Sequence, residues 1–145
     1  YFRYNILSGN IVIIVNIILN FKYKKMANKR EFKKYVETVG ASVCEAMMAT
    51  YYNEPSVDKK EITKAIEQVL CAVATARCNS NVTFDKGRKA FESANDYNKA
   101  RNAFSKQLFD KINDDFGKQL DEAIKTFNAA IPQNLRDEYK KVAAE

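Results

Sequence analysis

The sequence predicts an all-α fold, a bundle of three long antiparallel amphipathic helices in an up-down-up order, followed by a short C-terminal helix. Apolar side chains recur every three or four positions from Phe32 to Ile131, which is the spacing of one face of an α-helix. The 145 residues include only 4 Gly and 2 Pro, so few positions interrupt such helices. After residue 26 the alternation typical of a half-buried strand is not visible in the sequence.

The first helix is predicted from Asn28 to about Tyr52. Asn28 followed by Glu31 has the spacing of a capping box, in which two side chains satisfy backbone N–H groups at a helix start. Pro55 disfavours helical geometry at the residue before it and lacks an amide donor, so the helix should end near Tyr52. Its apolar face comprises Phe32, Tyr35, Val36, Val39, Val43, Met47 and Tyr51.

The second helix is predicted to start after Asp58, which with Glu61 repeats the capping spacing. The same apolar spacing can be continued as far as Phe84 and Phe91, but residues 79–81 have weak helix propensity. Two alternatives therefore stay open, a bend near residues 79–83 or one helix to about residue 92. The apolar face comprises Ile62, Ile66, Val69, Leu70 and Val73.

The third helix is predicted to be the longest. A polar cluster at residues 93–96 suits a turn and a new N-cap, and Pro132 should end the helix. At ~1.5 Å per residue this helix would reach ~50 Å. A last short helix is predicted around residues 135–143, helped by Asp137 and Lys141 at a spacing of four.

The first 25 residues are an atypical apolar segment. Ile, Asn, Lys, Tyr and Phe supply 18 of them, and the segment contains no Asp or Glu. These residue types and the start-like Met26 favour upstream translation over native protein. The alternatives are a weak membrane anchor through residues 6–21, which is shorter than the ~20 apolar residues of a spanning helix, or a packed terminal strand. Residues 26–145 are predicted to form a single domain.

Composition excludes several classes of site. The chain has no His, which rules out Ser-His-Asp and Cys-His catalysis and His-containing zinc sites. Four scattered glycines cannot form a phosphate-binding loop. The net charge is +6, but four basic residues lie within residues 1–25, so residues 26–145 carry 20 basic against 18 acidic residues. A nucleic-acid partner is therefore not expected, and a membrane partner is expected only if residues 1–25 are native.

Cys44, Cys71 and Cys78 are the candidate reactive groups. Cys71 and Cys78 lie seven positions apart on one predicted helix, and Cys44 lies on the preceding one, so the three thiols suit a redox or metal-responsive switch. The sequence contains no Cys-x-x-Cys pair, and small buried apolar side chains are the preferred interpretation. An odd cysteine count disfavours a secreted disulfide scaffold and favours the cytoplasm, the alternative location being a membrane.

Two clusters of charged residues each have a functional interpretation and a simpler one, in which they only keep the surface solvated. The carboxylates of the third helix could hold a cation, but lysines are interleaved with them, which is typical of a solvated face. A basic cluster opens the first helix and suits RNA or anionic lipid, although solubility is the preferred interpretation. The carboxylates are Asp110, Asp114, Asp115, Asp121 and Glu122, and the basic cluster is Lys29, Arg30, Lys33 and Lys34.

The function expected from the sequence is a non-enzymatic bundle that acts through a protein partner or as a homo-oligomer. Met48 and Phe109 lie beside the main apolar rows, and a widened apolar face is often buried against a partner. The alternatives are the thiol-based switch and a membrane-tethered bundle. We expect no catalytic residue, metal, cofactor or small-molecule substrate.

Overall fold

The computed structural model describes residues 29–144, of which 84% are helical and none forms a strand. The predicted all-α class is therefore confirmed. The predicted leader and the Asn28 cap lie outside the described residues. The described residues form four α-helices, α1 (Lys29–Asn53), α2 (Lys59–Asn79), α3 (Ala94–Ala130) and α4 (Gln133–Ala144), and a 3₁₀ turn (Arg88–Ala90).

Helix α1 ends one residue beyond the predicted position. The last helical hydrogen bond runs from the N–H of Glu54 to the carbonyl of Thr50 at 3.0 Å, and Pro55 follows directly. Its buried face contains Phe32, Val36, Val43 and Met47, as the spacing predicts.

Helix α2 is joined at its first residue to the end of α3. The side chain of Asp58 accepts hydrogen bonds from the N–H groups of Lys60 and Glu61, which confirms the predicted cap. The backbone N–H of Asp58 donates to the carbonyl of Ala130 at 3.1 Å. One residue therefore both starts α2 and holds it against α3.

The interruption of α2 predicted near residues 79–83 is confirmed, and the alternative of one helix to about residue 92 is wrong. The helix stops at Asn79, and the next helical residues are those of the 3₁₀ turn that begins at Arg88. Ser80 is buried, and its hydroxyl donates to the carbonyl of Arg77 at 2.7 Å, a local bond that competes with helix propagation. Phe84 and Phe91 instead pack on each other, with ring centroids 6.2 Å apart.

Helix α3 has 37 residues and a length of about 55 Å. Ser93 caps it: the hydroxyl accepts from the N–H of Asp96 at 3.1 Å and donates to the Asp96 carboxylate at 2.6 Å. The helix ends at Ala130, two residues before Pro132, as predicted. The buried positions of α3 begin only at Ile112.

Helix α4 begins two residues earlier than predicted. Leu135 packs against the core, and the Arg136 side chain donates from Nε to the carbonyl of Ile131 at 2.9 Å. Asp137 accepts from Gln133 Nε2 at 2.9 Å. The Leu135 and Arg136 contacts tie α4 to the core and to the end of α3, whereas the Gln133–Asp137 bond lies within α4.

One hydrophobic core connects α1, α2 and α3. Helix α2 packs against both α1 and α3, and the rings of Phe32 and Phe109 join α1 to α3 with centroids 5.5 Å apart. The largest fully buried apolar side chains are Phe32, Phe116, Met47, Ile62, Leu120, Val36, Val43 and Val69. Within the described part of the chain, none of the helices has the length and apolar character that crossing a membrane requires.

Candidate functional site

The most prominent surface feature is a row of apolar side chains along α1 and α2. Met48, Tyr52 and Leu70 are 45%, 73% and 56% exposed. Cys44 and Ile66 are half-buried and pack against the edge of the core. We call these five residues the α1–α2 apolar face.

Two contacts show how the two helices lie beside each other. Arg77 Nη1 lies 3.0 Å from Glu37 Oε1, and Lys59 Nζ lies 5.0 Å from the centre of the Tyr51 ring. The start of α1 is therefore beside the end of α2, and the end of α1 is beside the start of α2. This register places Cys44 and Met48 alongside the middle of α2, where Ile66 and Leu70 lie.

Gly40 allows the two helices to approach closely in this region. A Cβ atom at Gly40 would collide with Cγ2 of Val73, and it would lie 3.9 Å from Cγ1 of Val69. The missing side chain thus makes room for the Val73 methyl group, so the two helix backbones can lie close together here.

The apolar face follows from the angular positions of its residues. Successive residues of a helix are turned by 100° about its axis. The side chain of Leu70 therefore points about 100° away from that of the fully buried Val69. The side chain of Met48 likewise points away from that of Met47. The apolar spacing predicts Leu70 on the buried face, and this prediction is wrong. Phe109, expected to widen the apolar surface, instead packs on Phe32.

The three predicted thiols do not form one site. Cys44 is half-buried, and its burial raises the pKa of the thiol. Cys71 and Cys78 are exposed, so the prediction that they are buried is wrong. Cys71 lies on the α3 side of α2, in a shallow groove with Gln119 and Glu122. Among the described residues no group of three or more Cys, Asp or Glu side chains could hold a metal ion.

The carboxylates of α3 are solvent-exposed, as the interleaved lysines predict. Lysines also remain exposed between them, and the buried positions of this stretch are apolar. The exposed carboxylates are Asp110, Asp114, Asp115, Asp121 and Glu122.

The predicted basic cluster lines a groove at the start of α1 together with a residue that the sequence analysis missed. Lys29, Arg30, Lys33 and Lys34 share this groove with Arg77 of α2. Only the pairing of the two helices places Arg77 there, and no local sequence signal predicts it. No family model matches the chain, and neither curated proteins nor solved structures provide a match.

Proposed function

We propose that the chain is a non-enzymatic helical bundle that self-associates, and that two copies meet through the α1–α2 apolar face. The observation that carries the proposal is the exposure of three large apolar side chains, those of Met48, Tyr52 and Leu70, on the paired helices α1 and α2. Contiguous apolar surface of this kind is commonly buried in an interface. A row of aliphatic and aromatic side chains is also self-complementary, as a two-fold symmetric interface requires.

The proposal includes an up-down-up arrangement of α1, α2 and α3. Antiparallel α1 and α2 account for the Glu37–Arg77 and Tyr51–Lys59 contacts. Antiparallel α2 and α3 account for the hydrogen bond from Asp58 to Ala130. In such a bundle the apolar face lies on the outer side of the α1–α2 pair, where a second copy can approach.

The test is the molar mass in solution, measured by light scattering after size-exclusion chromatography over a range of about 10–200 µM. We expect the unaltered chain to be dimeric at the upper concentrations. The double substitution Met48→Lys and Leu70→Lys should give a monomer, because it places two desolvated ammonium groups in each half of the interface.

Val82 provides the matched control. It is 53% exposed, close to the 56% of Leu70, but it lies beyond the end of α2. Val82→Lys should leave the dimer intact. A strictly monomeric unaltered chain at 200 µM, or equal dissociation by Val82→Lys and by Leu70→Lys, would contradict the proposal.

A thiol-based switch is the second candidate, and the exposure of Cys71 and Cys78 favours it. The two candidates differ in their dependence on redox state. Self-association of the fully reduced chain, retained in the Cys71→Ser and Cys78→Ser double variant, supports the apolar face. Self-association that requires oxidised protein supports the switch.

A further inference from the structure

Half of the basic residues in the part of the chain that the structure describes lie at one end of the fold. Residues 29–37 and 77–101 contain ten basic and five acidic residues, whereas residues 38–76 and 102–145 contain ten basic and thirteen acidic residues. The two basic stretches meet in space, because Lys33 Nζ donates to Asn81 Oδ1 at 2.8 Å. The nearly balanced charge of residues 26–145 therefore conceals a strongly basic end.

A groove of about 510 Å³ at this end is lined by five cationic side chains and one carboxylate, those of Lys29, Arg30, Lys33, Lys34, Arg77 and Glu37. The carboxylate is that of Glu37, which Arg77 already pairs with at 3.0 Å. Arg30 and Lys34 are exposed. A groove with this charge is suited to an anionic ligand with several negative groups.

A second groove of about 550 Å³ adjoins the first and shares Lys29 with it. Half-buried aromatic rings line it, and the Phe84 ring lies 5.9 Å from that of Tyr97 and 5.4 Å from that of Phe104. The Arg101 guanidinium lies 5.7 Å from the centre of the Tyr97 ring.

The walls of this second groove also carry hydrogen-bonding side chains. Thr83, Asn102 and Ser105 line it together with the rings. Amide and hydroxyl groups of this kind can donate to and accept from the edges of nucleobases.

We propose that these adjoining grooves bind a short segment of single-stranded nucleic acid. The cationic groove would follow the phosphates, and the rings of the aromatic groove would stack with one or two bases, as in other single-strand sites. A concave site lined by rings and amides fits an extended polyanion better than a lipid surface, which favours apolar side chains that project outward. The site is separate from the α1–α2 apolar face.

The first experiment is fluorescence anisotropy with the full 145-residue chain and fluorescein-labelled 12-mers of uridine and of thymidine. The triple substitution Lys29→Gln, Arg30→Gln and Lys34→Gln should weaken binding at least about ten-fold at 0.1 M salt. It should also reduce the slope of log affinity against log salt by about two, since each lost phosphate contact contributes about 0.7.

The matched control removes the same charge from the other end of the fold. Lys59→Gln, Lys60→Gln and Lys64→Gln lie in the first turns of α2 and should change the affinity less than about two-fold. Equal weakening by the two triple variants would overturn the proposal, because binding would then depend only on net charge. Failure of both 12-mers to bind at about 100 µM chain in 50 mM salt would also overturn it.

The second experiment tests the stacking platform. Tyr97→Leu removes the ring and retains an apolar side chain, and it should weaken 12-mer binding about five-fold or more while leaving inorganic polyphosphate binding unchanged. Arg101→Gln, at an exposed position, removes one charge together with the cation–π contact to Tyr97, so it should weaken 12-mer binding more than polyphosphate binding. Base recognition would be overturned if the chain bound polyphosphate and the 12-mers with equal affinity and neither variant changed the affinity for the 12-mers.

Two further measurements separate the alternatives. Binding to phosphatidylserine-containing vesicles without 12-mer binding would overturn the proposal in favour of a lipid surface. The Met48→Lys and Leu70→Lys double variant should bind the 12-mers with unchanged affinity per chain, so failure of the proposed self-association and failure of this proposal are distinguishable.

Discussion

The three cysteines carry the same side chain, but the fold places them in different surroundings. Cys44 packs against the core between α1 and α2, whereas Cys71 and Cys78 are exposed on α2. Because the thiolate is the reactive form, burial slows a thiol both by blocking access and by raising its pKa. The chemistry of each cysteine is therefore set by its position on the helix.

We expect two thiols of the native chain to react quickly with Ellman's reagent at pH 8 and one to react at least about ten-fold more slowly. The slow thiol should be that of Cys44, whose pKa burial raises, and its rate should continue to increase as the pH rises. Cys44→Ala should remove only the slow phase. Three equal rates in the native chain would contradict this assignment.

Tyr35 should make the stability of the fold sensitive to alkaline pH. Burial raises the pKa of its hydroxyl from 10.0 to about 12, so the unfolded chain ionises at a lower pH than the folded chain. The free energy of unfolding should be unaffected by this group below pH 10 and should fall as the pH rises from 10 towards 12. Urea unfolding at several pH values measures this decrease.

Tyr35→Phe is the control for this effect, because phenylalanine has no ionisable hydroxyl. The variant should lose less stability than the unaltered chain between pH 10 and pH 12. Parallel pH profiles of the two proteins would show that Tyr35 does not contribute.

Helix α1 approaches α2 closely at Gly40. Gly40 lies where a Cβ atom would collide with Val73, although glycine within a helix costs about 1 kcal/mol relative to alanine. Gly87 contrasts with it, since a Cβ atom there would meet nothing within 4 Å. The two glycines therefore have opposite consequences when a methyl group is added.

We expect Gly40→Ala to destabilise the fold by about 1–3 kcal/mol, because overpacking outweighs the gain in helix propensity. Gly87→Ala should be neutral or should stabilise by up to about 1 kcal/mol. In a Val73→Ala background the Gly40→Ala substitution should no longer destabilise. Urea unfolding of the unaltered chain and the four variants measures these differences, and an equal cost of Gly40→Ala in both backgrounds would contradict the close approach.

The segment between α2 and α3 shows how a periodic pattern can mislead. Phe84 and Phe91 continue the helical spacing of α2, but in the structure they belong to a ring cluster with Tyr97 and Phe104. A spacing of seven residues is compatible with two helical turns and also with two rings that fold back onto the next helix. Local sequence alone does not distinguish these arrangements.

At the scale of the whole molecule, one core is shared by α1, α2 and α3. Phe116 of α3 is 1% exposed, and Phe32 of α1 and Ile62 of α2 are fully buried in the same cluster. Because none of these helices has a core of its own, we expect them to unfold together in one cooperative transition.

Phe116→Ala should reduce the free energy of unfolding by about 3–5 kcal/mol, since it removes a buried ring from this shared core. Val82→Ala, at a position that is 53% exposed, should change it by less than about 0.5 kcal/mol. Urea unfolding followed by circular dichroism and by tyrosine fluorescence measures both. Transitions at different urea concentrations for the two probes would contradict a single cooperative core.

The sequence by itself determined the all-α class, the end of α1, the start of α2 and the extent of α3. Caps such as Asp58 and Ser93, the stop before Pro132 and the apolar spacing all act between residues a few positions apart, so they can be recognised without the fold. The all-α class and the bounds of α1 and α3 follow from these local signals.

Only the tertiary structure decided which surfaces the helices expose. Leu70 is exposed and Val69 is buried because α1 and α3 cover one side of α2 and not the other. Arg77 joins the basic end of α1 because the two helices pair with their opposite ends together. These outcomes depend on contacts between residues far apart in the chain, and the spacing within one helix carries no information about its neighbours.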